Sequence, residues 1–157
     1  MTACSGPDAR LVSEEVPQGV GTLATAGLMW GSPIYSESGG SFEPMTTYTA
    51  DYLNEHKVPS QGPLVYVDAD VPSTGPTEVS VNAIDAHTWG AASLSSQDGF
   101  CYLMVDVADR ENPTYGNTLF GKVEARDCVG SLARPDAEYM SEVSWNLSDD
   151  DPPVQVP

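Results

Sequence analysis

The side chains with the most chemistry to offer are few and scattered. They are two histidines (His56, His87), three cysteines (Cys4, Cys101, Cys128) and two acidic groups, Asp68-Ala69-Asp70 and Asp149-Asp150-Asp151. Neither histidine has a His, Cys, Asp or Glu partner at the spacing of a zinc site. His87, close to Trp89, reads as a turn residue that completes a hydrogen bond. Ser93, Ser95 and Ser96 fall where a strand should end, a setting for turn chemistry and not for a nucleophile. No Gly-x-Ser-x-Gly elbow, phosphate-binding loop or dinucleotide fingerprint occurs. Carboxylate pairs are uninformative in a chain with 23 acids. The expectation is a protein that is not an enzyme and needs no cofactor. Asp68 and Asp70 are the metal candidates, because calcium prefers hard oxygen ligands. They lack the glycine and spacing of an EF-hand loop, so a solvated acidic turn is the simpler reading.

The cysteines say more. Cys101 and Cys128 flank a stretch rich in turn residues, Asn112-Pro113, Tyr115-Gly116 and Gly121. A long irregular loop of that kind needs anchoring, which favours a bridge over two reduced core thiols. Such a bridge should contribute ~3 kcal/mol by restricting the unfolded chain. It also implies export, since disulfides persist in oxidising compartments. Cys4 is then the odd one out. Its setting, Thr-Ala-Cys-Ser-Gly, resembles the end of a bacterial lipoprotein signal, where the cysteine is the lipid anchor, without the apolar leader that precedes one. A free thiol in an N-terminal tail is the alternative.

Composition bounds the partners. The 157 residues suit one domain with a real core, and 40% hydrophobic against 18% charged residues describes a globular chain. With 23 acidic and 6 basic residues the net charge is −17. Nucleic-acid binding depends on Lys and Arg displacing counterions, so no direct nucleic-acid partner is expected. Solubility or adaptation to salt is the plain account of the acidity.

Elements must position these groups. Residues 1–12 read as a tail. Ser13 can cap a helix with Glu14 and Glu15 in its first turn, and Val20, Leu23, Ala24, Gly27, Leu28 and Gly31 share one helical face. Thr46 to His56 is a second helical candidate, ended by Pro59, Gly62 and Pro63. Leu64 to Val67 is a strand. Glu78 to Ile84 alternates, with Val79, Val81 and Ala83 on one side and Glu78, Ser80 and Asn82 on the other. Thr88 to Leu94 and Phe100 to Val107 complete a meander around the Gln97-Asp98-Gly99 turn, so neighbouring strands should pair antiparallel. Trp89 is expected in the core, beside Val81 and Tyr102. Ala108 to Arg126 reads mostly as loop, Pro135 opens a short helical turn, and Ser148 to Pro157 is a polar, proline-rich tail.

These motifs, taken in order, resemble the globular part of type IV pilins and pseudopilins, particularly those of high-GC Gram-positive bacteria. The apolar segment Leu28 to Tyr35 leads into Gly39-Gly40-Ser41-Phe42, then Leu64-Val65-Tyr66-Val67 and Ser73-Thr74-Gly75-Pro76. Glu78-Val79-Ser80-Val81, Thr88-Trp89-Gly90-Ala91-Ala92, Phe100-Cys101-Tyr102-Leu103, Thr114-Tyr115-Gly116, Cys128-Val129-Gly130 and Trp145 follow. The match runs from Thr22 to Trp145, roughly four fifths of the chain, and its weight lies in order and spacing, since each motif alone is weak. The pilin processing site and membrane-inserting helix have no counterpart here, because no stretch approaches the ~18 consecutive apolar residues of a membrane span. A soluble fragment, a split pilin whose helix is a separate chain, and a pilin-like domain in another use all fit that departure.

The expected fold is therefore α+β. An N-terminal helix within 13–32 packs on a four-stranded, mainly antiparallel sheet, and a disulfide-closed loop covers one edge. Residues 13–147 form the domain, and 148–157 are a flexible tail. The resemblance implies a structural subunit at the cell surface: a pilin, minor pilin or pseudopilin. Its partners are other subunits and a separate hydrophobic helix chain, with membrane contact only through such a partner or a lipid. The alternative is a secreted or lipid-anchored binding module that builds no filament.

Overall fold

The computed structural model describes residues 45–56, 64–96, 98–107, 117–141 and 154–157. Six strands form one sheet in sequence order: β1 Val65–Val67, β2 Glu78–Asp85, β3 Thr88–Leu94, β4 Cys101–Val107, β5 Asn117–Ala125 and β6 Val154–Val156. The middle pairings, β2 with β3, β3 with β4 and β4 with β5, are antiparallel. The outer two, β1 with β2 and β5 with β6, are parallel.

This corrects the expected four-stranded, mainly antiparallel sheet. The stretch taken for a disulfide-closed loop over one edge contributes β5, a full strand of the sheet. Residues taken for a C-terminal tail contribute β6. Neither strand announces itself locally. Asn117–Ala125 holds Gly121, Lys122 and Glu124, and only pairing along β4 makes it a strand. The N-terminal helix expected within 13–32 lies outside the described residues.

The β3–β4 hairpin turns where the sequence placed it. Gly99 takes a positive φ of 75°, open to glycine at no steric cost, and its N–H donates to the Ser95 carbonyl. The β2–β3 connection, Ala86-His87, is closed by the Asp85 carboxylate, which accepts from the His87 N–H at 2.7 Å. Trp89 is buried at 4% exposure in β3, between the strands that carry Val81 and Tyr102 as expected, and the register sets Ala83 and Asp106 directly opposite it.

Alternation gives the sheet two faces. The first carries Tyr66, Val79, Val81, Trp89, Ala91, Tyr102 and Met104. It is covered by a 3-10 turn, Met45–Thr47, and by helix α1, Ala50–His56, which insert Met45, Tyr48, Ala50 and Leu53. The single helix foreseen over Thr46 to His56 is thus two pieces. The second face carries Ala92, Cys101, Leu103, Val105 and Val123. Its cover is the strap 128–141, which has one 3-10 turn, Gly130–Leu132, and otherwise no regular structure.

Both faces are therefore dry. Ser80, on the side of β2 that alternation alone would leave in water, has 0% exposure.

Candidate functional site

The densest group of polar side chains sits where the β1–β2 connection, residues 68–77, meets the strap. Ser73, Ser80 and Ser93 are buried around that connection, and Ser95 is buried at the β3–β4 turn. The Ser73 hydroxyl contacts the carbonyls of Gly75 at 3.0 Å and Glu78 at 2.6 Å, and accepts from the Leu94 N–H at 3.0 Å. The Ser93 hydroxyl reaches the same two carbonyls, at 3.4 and 3.2 Å. Ser80 donates to the Asp68 carbonyl and accepts from the Gly130 N–H at 2.7 Å. The Ser73 N–H donates to the Cys128 carbonyl, and the Ser131 N–H to the Ala69 carbonyl.

The Ser80 bonds and the two backbone bonds tie the 68–77 connection to the strap, the Ser73 and Ser93 hydroxyls hold that connection to β2 and β3, and the reason is steric as much as polar. A short hydroxyl satisfies backbone groups that the sheet ladder cannot reach and still lets the chain lie close. The hydroxyls are spent on structure. Ser93 is a buried latch residue, beyond the strand-end turn role the sequence suggested, whereas Ser95 serves the β3–β4 turn, its N–H donating to the Phe100 carbonyl and its carbonyl accepting from the Gly99 N–H.

One residue away is the covalent tie. Cys101 on β4 and Cys128 at the start of the strap are bridged, with Cα atoms 5.3 Å apart. Both are buried, at 1% and 3% exposure. The bridge sits in the second cluster among Leu103, Val123 and Ala133 and pins the strap to the sheet from beneath.

The other candidate groups are dispersed. Asp68 and Asp70 are exposed in the turn after β1, and among the described residues no three His, Cys, Asp or Glu side chains converge on a metal-sized space. Asp149 to Asp151 and the anchor candidate Cys4 lie outside the described residues. His56 stacks on Tyr52 at 4.0 Å, with Nδ1 2.8 Å from the Tyr52 carbonyl. The His87 ring leaves Nδ1 buried without a partner among the described residues, while its backbone makes the turn bond.

Two features of the first face went unread in the sequence. Lys122 of β5 places Nζ 4.7 Å from the Phe100 ring centre and 5.8 Å from that of Tyr102, a cation over two aromatic faces. Asp106 accepts from the Thr118 hydroxyl at 2.9 Å, and burial pushes its carboxyl above the ordinary value while that hydrogen bond pulls it down. Both groupings depend on β5, the strand that read as loop. Had Thr118, Phe120 and Lys122 been recognised as alternate positions of a strand, their common face would have followed.

No protein-family model, curated protein or solved structure matches this chain. Among the described residues no helix is long and apolar enough to cross a membrane.

Proposed function

We propose that the protein is a structural subunit of the pilin, minor pilin or pseudopilin type, exported to the cell surface, whose work is assembly and display. The observation that carries this reading is the bridge between Cys101 and Cys128. A buried disulfide joining sheet to strap belongs to an oxidising compartment. The buried hydroxyls point the same way, since Ser73, Ser80 and Ser93 are committed to holding backbone together. The finer assignment rests on the order of motifs between Thr22 and Trp145. The number of strands does not contribute to it, because the six-stranded mixed sheet departs from the four-stranded form. The partners in this reading are other subunits, met through a hydrophobic helix carried in cis or on a separate chain.

Fractionation of source cells tests the proposal. Shearing should release the protein with surface filaments, its Cys101–Cys128 bridge intact by non-reducing peptide mapping. Supplying a hydrophobic helix, in cis or as a peptide, should convert the purified chain from monomer to assembly. Recovery of a lipid-modified Cys4 with no filament would replace this reading with the surface-anchored binding module.

A further inference from the structure

The two edges of the sheet are finished differently. At β1 the Asn54 side chain acts as a short mock strand: its Nδ2 donates to the Tyr66 carbonyl at 2.7 Å and its Oδ1 accepts from the Tyr66 N–H at 2.9 Å. That occupies the backbone groups an incoming strand would need. At the other edge β5 is covered in two pieces. Ser141 pairs antiparallel with Phe120 through bonds of 2.7 and 2.9 Å, and β6 pairs parallel with Val123, Glu124 and Ala125.

Those two pieces run in opposite directions along the same edge. Ser141 runs antiparallel beside Phe120, whereas Val154 runs parallel beside Val123. Holding β6 on this edge through its own chain closes a loop between those two residues, at a cost in chain entropy. The return is small: β6 has three residues, Val154 is 50% exposed, Gln155 is exposed, and Val156 alone packs into the second cluster. A strand of three residues, two of them exposed, has little side-chain burial to hold it in place.

We propose that β6 is an exchangeable strand, with Val154–Val156 of one copy replacing its counterpart on the β5 edge of a second copy. The occupant needs no new complementarity, since it is the same strand in the same register, and such exchange is a low-cost route to a dimer. It competes with the intramolecular strand, whose effective concentration is on the order of millimolar for a short connection. Exchange therefore belongs to crowded copies. Each copy carries −17, so salt should favour it by screening their repulsion. The inference does not depend on the filament reading.

Register supplies the test. In full-length chains carrying Cys4→Ser, Glu124→Cys and Gln155→Cys lie opposite one another across β5 and β6. Placed in one chain, they should cross-link within it and report the register. Placed on separate chains and mixed at high concentration, they should give a cross-linked dimer severalfold above an Asp136→Cys and Gln155→Cys control mixture, with a yield that rises with salt. A yield equal to the control overturns the proposal. The unmodified chain gives a second measurement free of added thiols. By sedimentation its dimer should grow with concentration and vanish when residues 152–157 are removed. A dimer that survives the truncation, or none at any concentration, also overturns it.

Discussion

The two faces of the sheet meet the same requirement, excluding water from one side of a β-sheet, by opposite means. The first is filled by large side chains: Tyr48, Leu53 and Met45 descend from short helical pieces onto Tyr66, Val79, Val81 and Trp89. The second carries smaller side chains and is closed by a strap whose backbone comes close to the strands. A strap with little regular structure can lie on strands only where side chains are missing, and three glycines provide that space. A Cβ on Gly90 would come within 2.6 Å of the Ala133 carbonyl, one on Gly121 within 2.7 Å of the Met140 sulfur, and one on Gly130 within 2.7 Å of the Ser80 carbonyl. The strap is held by the bridge and by hydrogen bonds through Ser80 and Asn82. The first face should fail when atoms are removed. The second should fail when atoms are added or its tie is cut.

Trp89→Ala is the strongest test of the first half of that contrast. The indole is buried and its Nε1 donates to the Tyr48 carbonyl at 3.1 Å, so truncation opens a cavity and removes that bond. The expected loss is ~3–5 kcal/mol, measured by urea unfolding. A loss below ~1 kcal/mol would mean that the helical pieces do not seal this face. On the second face, Cys128→Ser with Cys101→Ser should cost about 3 kcal/mol, because the released loop regains freedom in the unfolded chain. Limited proteolysis should then cut first within 128–141, where the strap has lost its tie.

Addition should be as harmful there as truncation is on the other side. Gly90→Ala places a methyl against backbone that cannot rotate away, and overpacking of this kind costs ~1–3 kcal/mol. Gly75→Ala is the matched control, since a Cβ there meets nothing within 4 Å. Its midpoint should stay within ~0.5 kcal/mol of the parent, as surface substitutions do. Equal effects at the two positions would remove the claim that the strap is seated on missing side chains.

The same contrast explains what the sequence revealed and what it concealed. Strands β2 to β4 were legible because Val79, Val81, Trp89, Tyr102 and Leu103 carry strong period-2 and β-propensity signals. The staple was legible because two cysteines flanked a stretch dense in turn residues. The second layer over Ser80 was not, since alternation marks a polar residue as wet and cannot show that a distant strap will bury it. Glycines read as breakers in sequence, yet Gly90 and Gly121 sit in mid-strand as seats for the strap. Strand β5 was lost for the same reason. Of the site, the sequence named Cys101 and Cys128, whereas the serine latch needs the fold to bring Ser73 and Ser80 to the strap and Ser93 to the carbonyls of Gly75 and Glu78.

The smallest effect concerns the margin of the first face, where apolar packing gives way to Asp106. Trp89 lies opposite it on β3 and Thr118 opposite it on β5. Burial raises its carboxyl above the ordinary value of 3.8, against the lowering pull of the Thr118 hydroxyl. The folded chain therefore keeps a proton that the unfolded chain has released once the pH passes that ordinary value. With more protons bound in the folded state, stability falls as pH rises through the window up to the raised value, and stays lower above it. Asp106→Asn retains the shape and an acceptor for Thr118 but removes the charge. The variant should be more stable than the parent at about pH 7, with the difference shrinking on acidification and closing below about pH 3.8. Urea midpoints for both proteins across that range measure the difference, in which the other carboxylates cancel. A parent more stable than the variant at neutral pH would show that the ionised carboxylate is favoured in the fold. The margin of the first face would then be a solvated or cation-paired boundary, and the large side chains would stop short of β5.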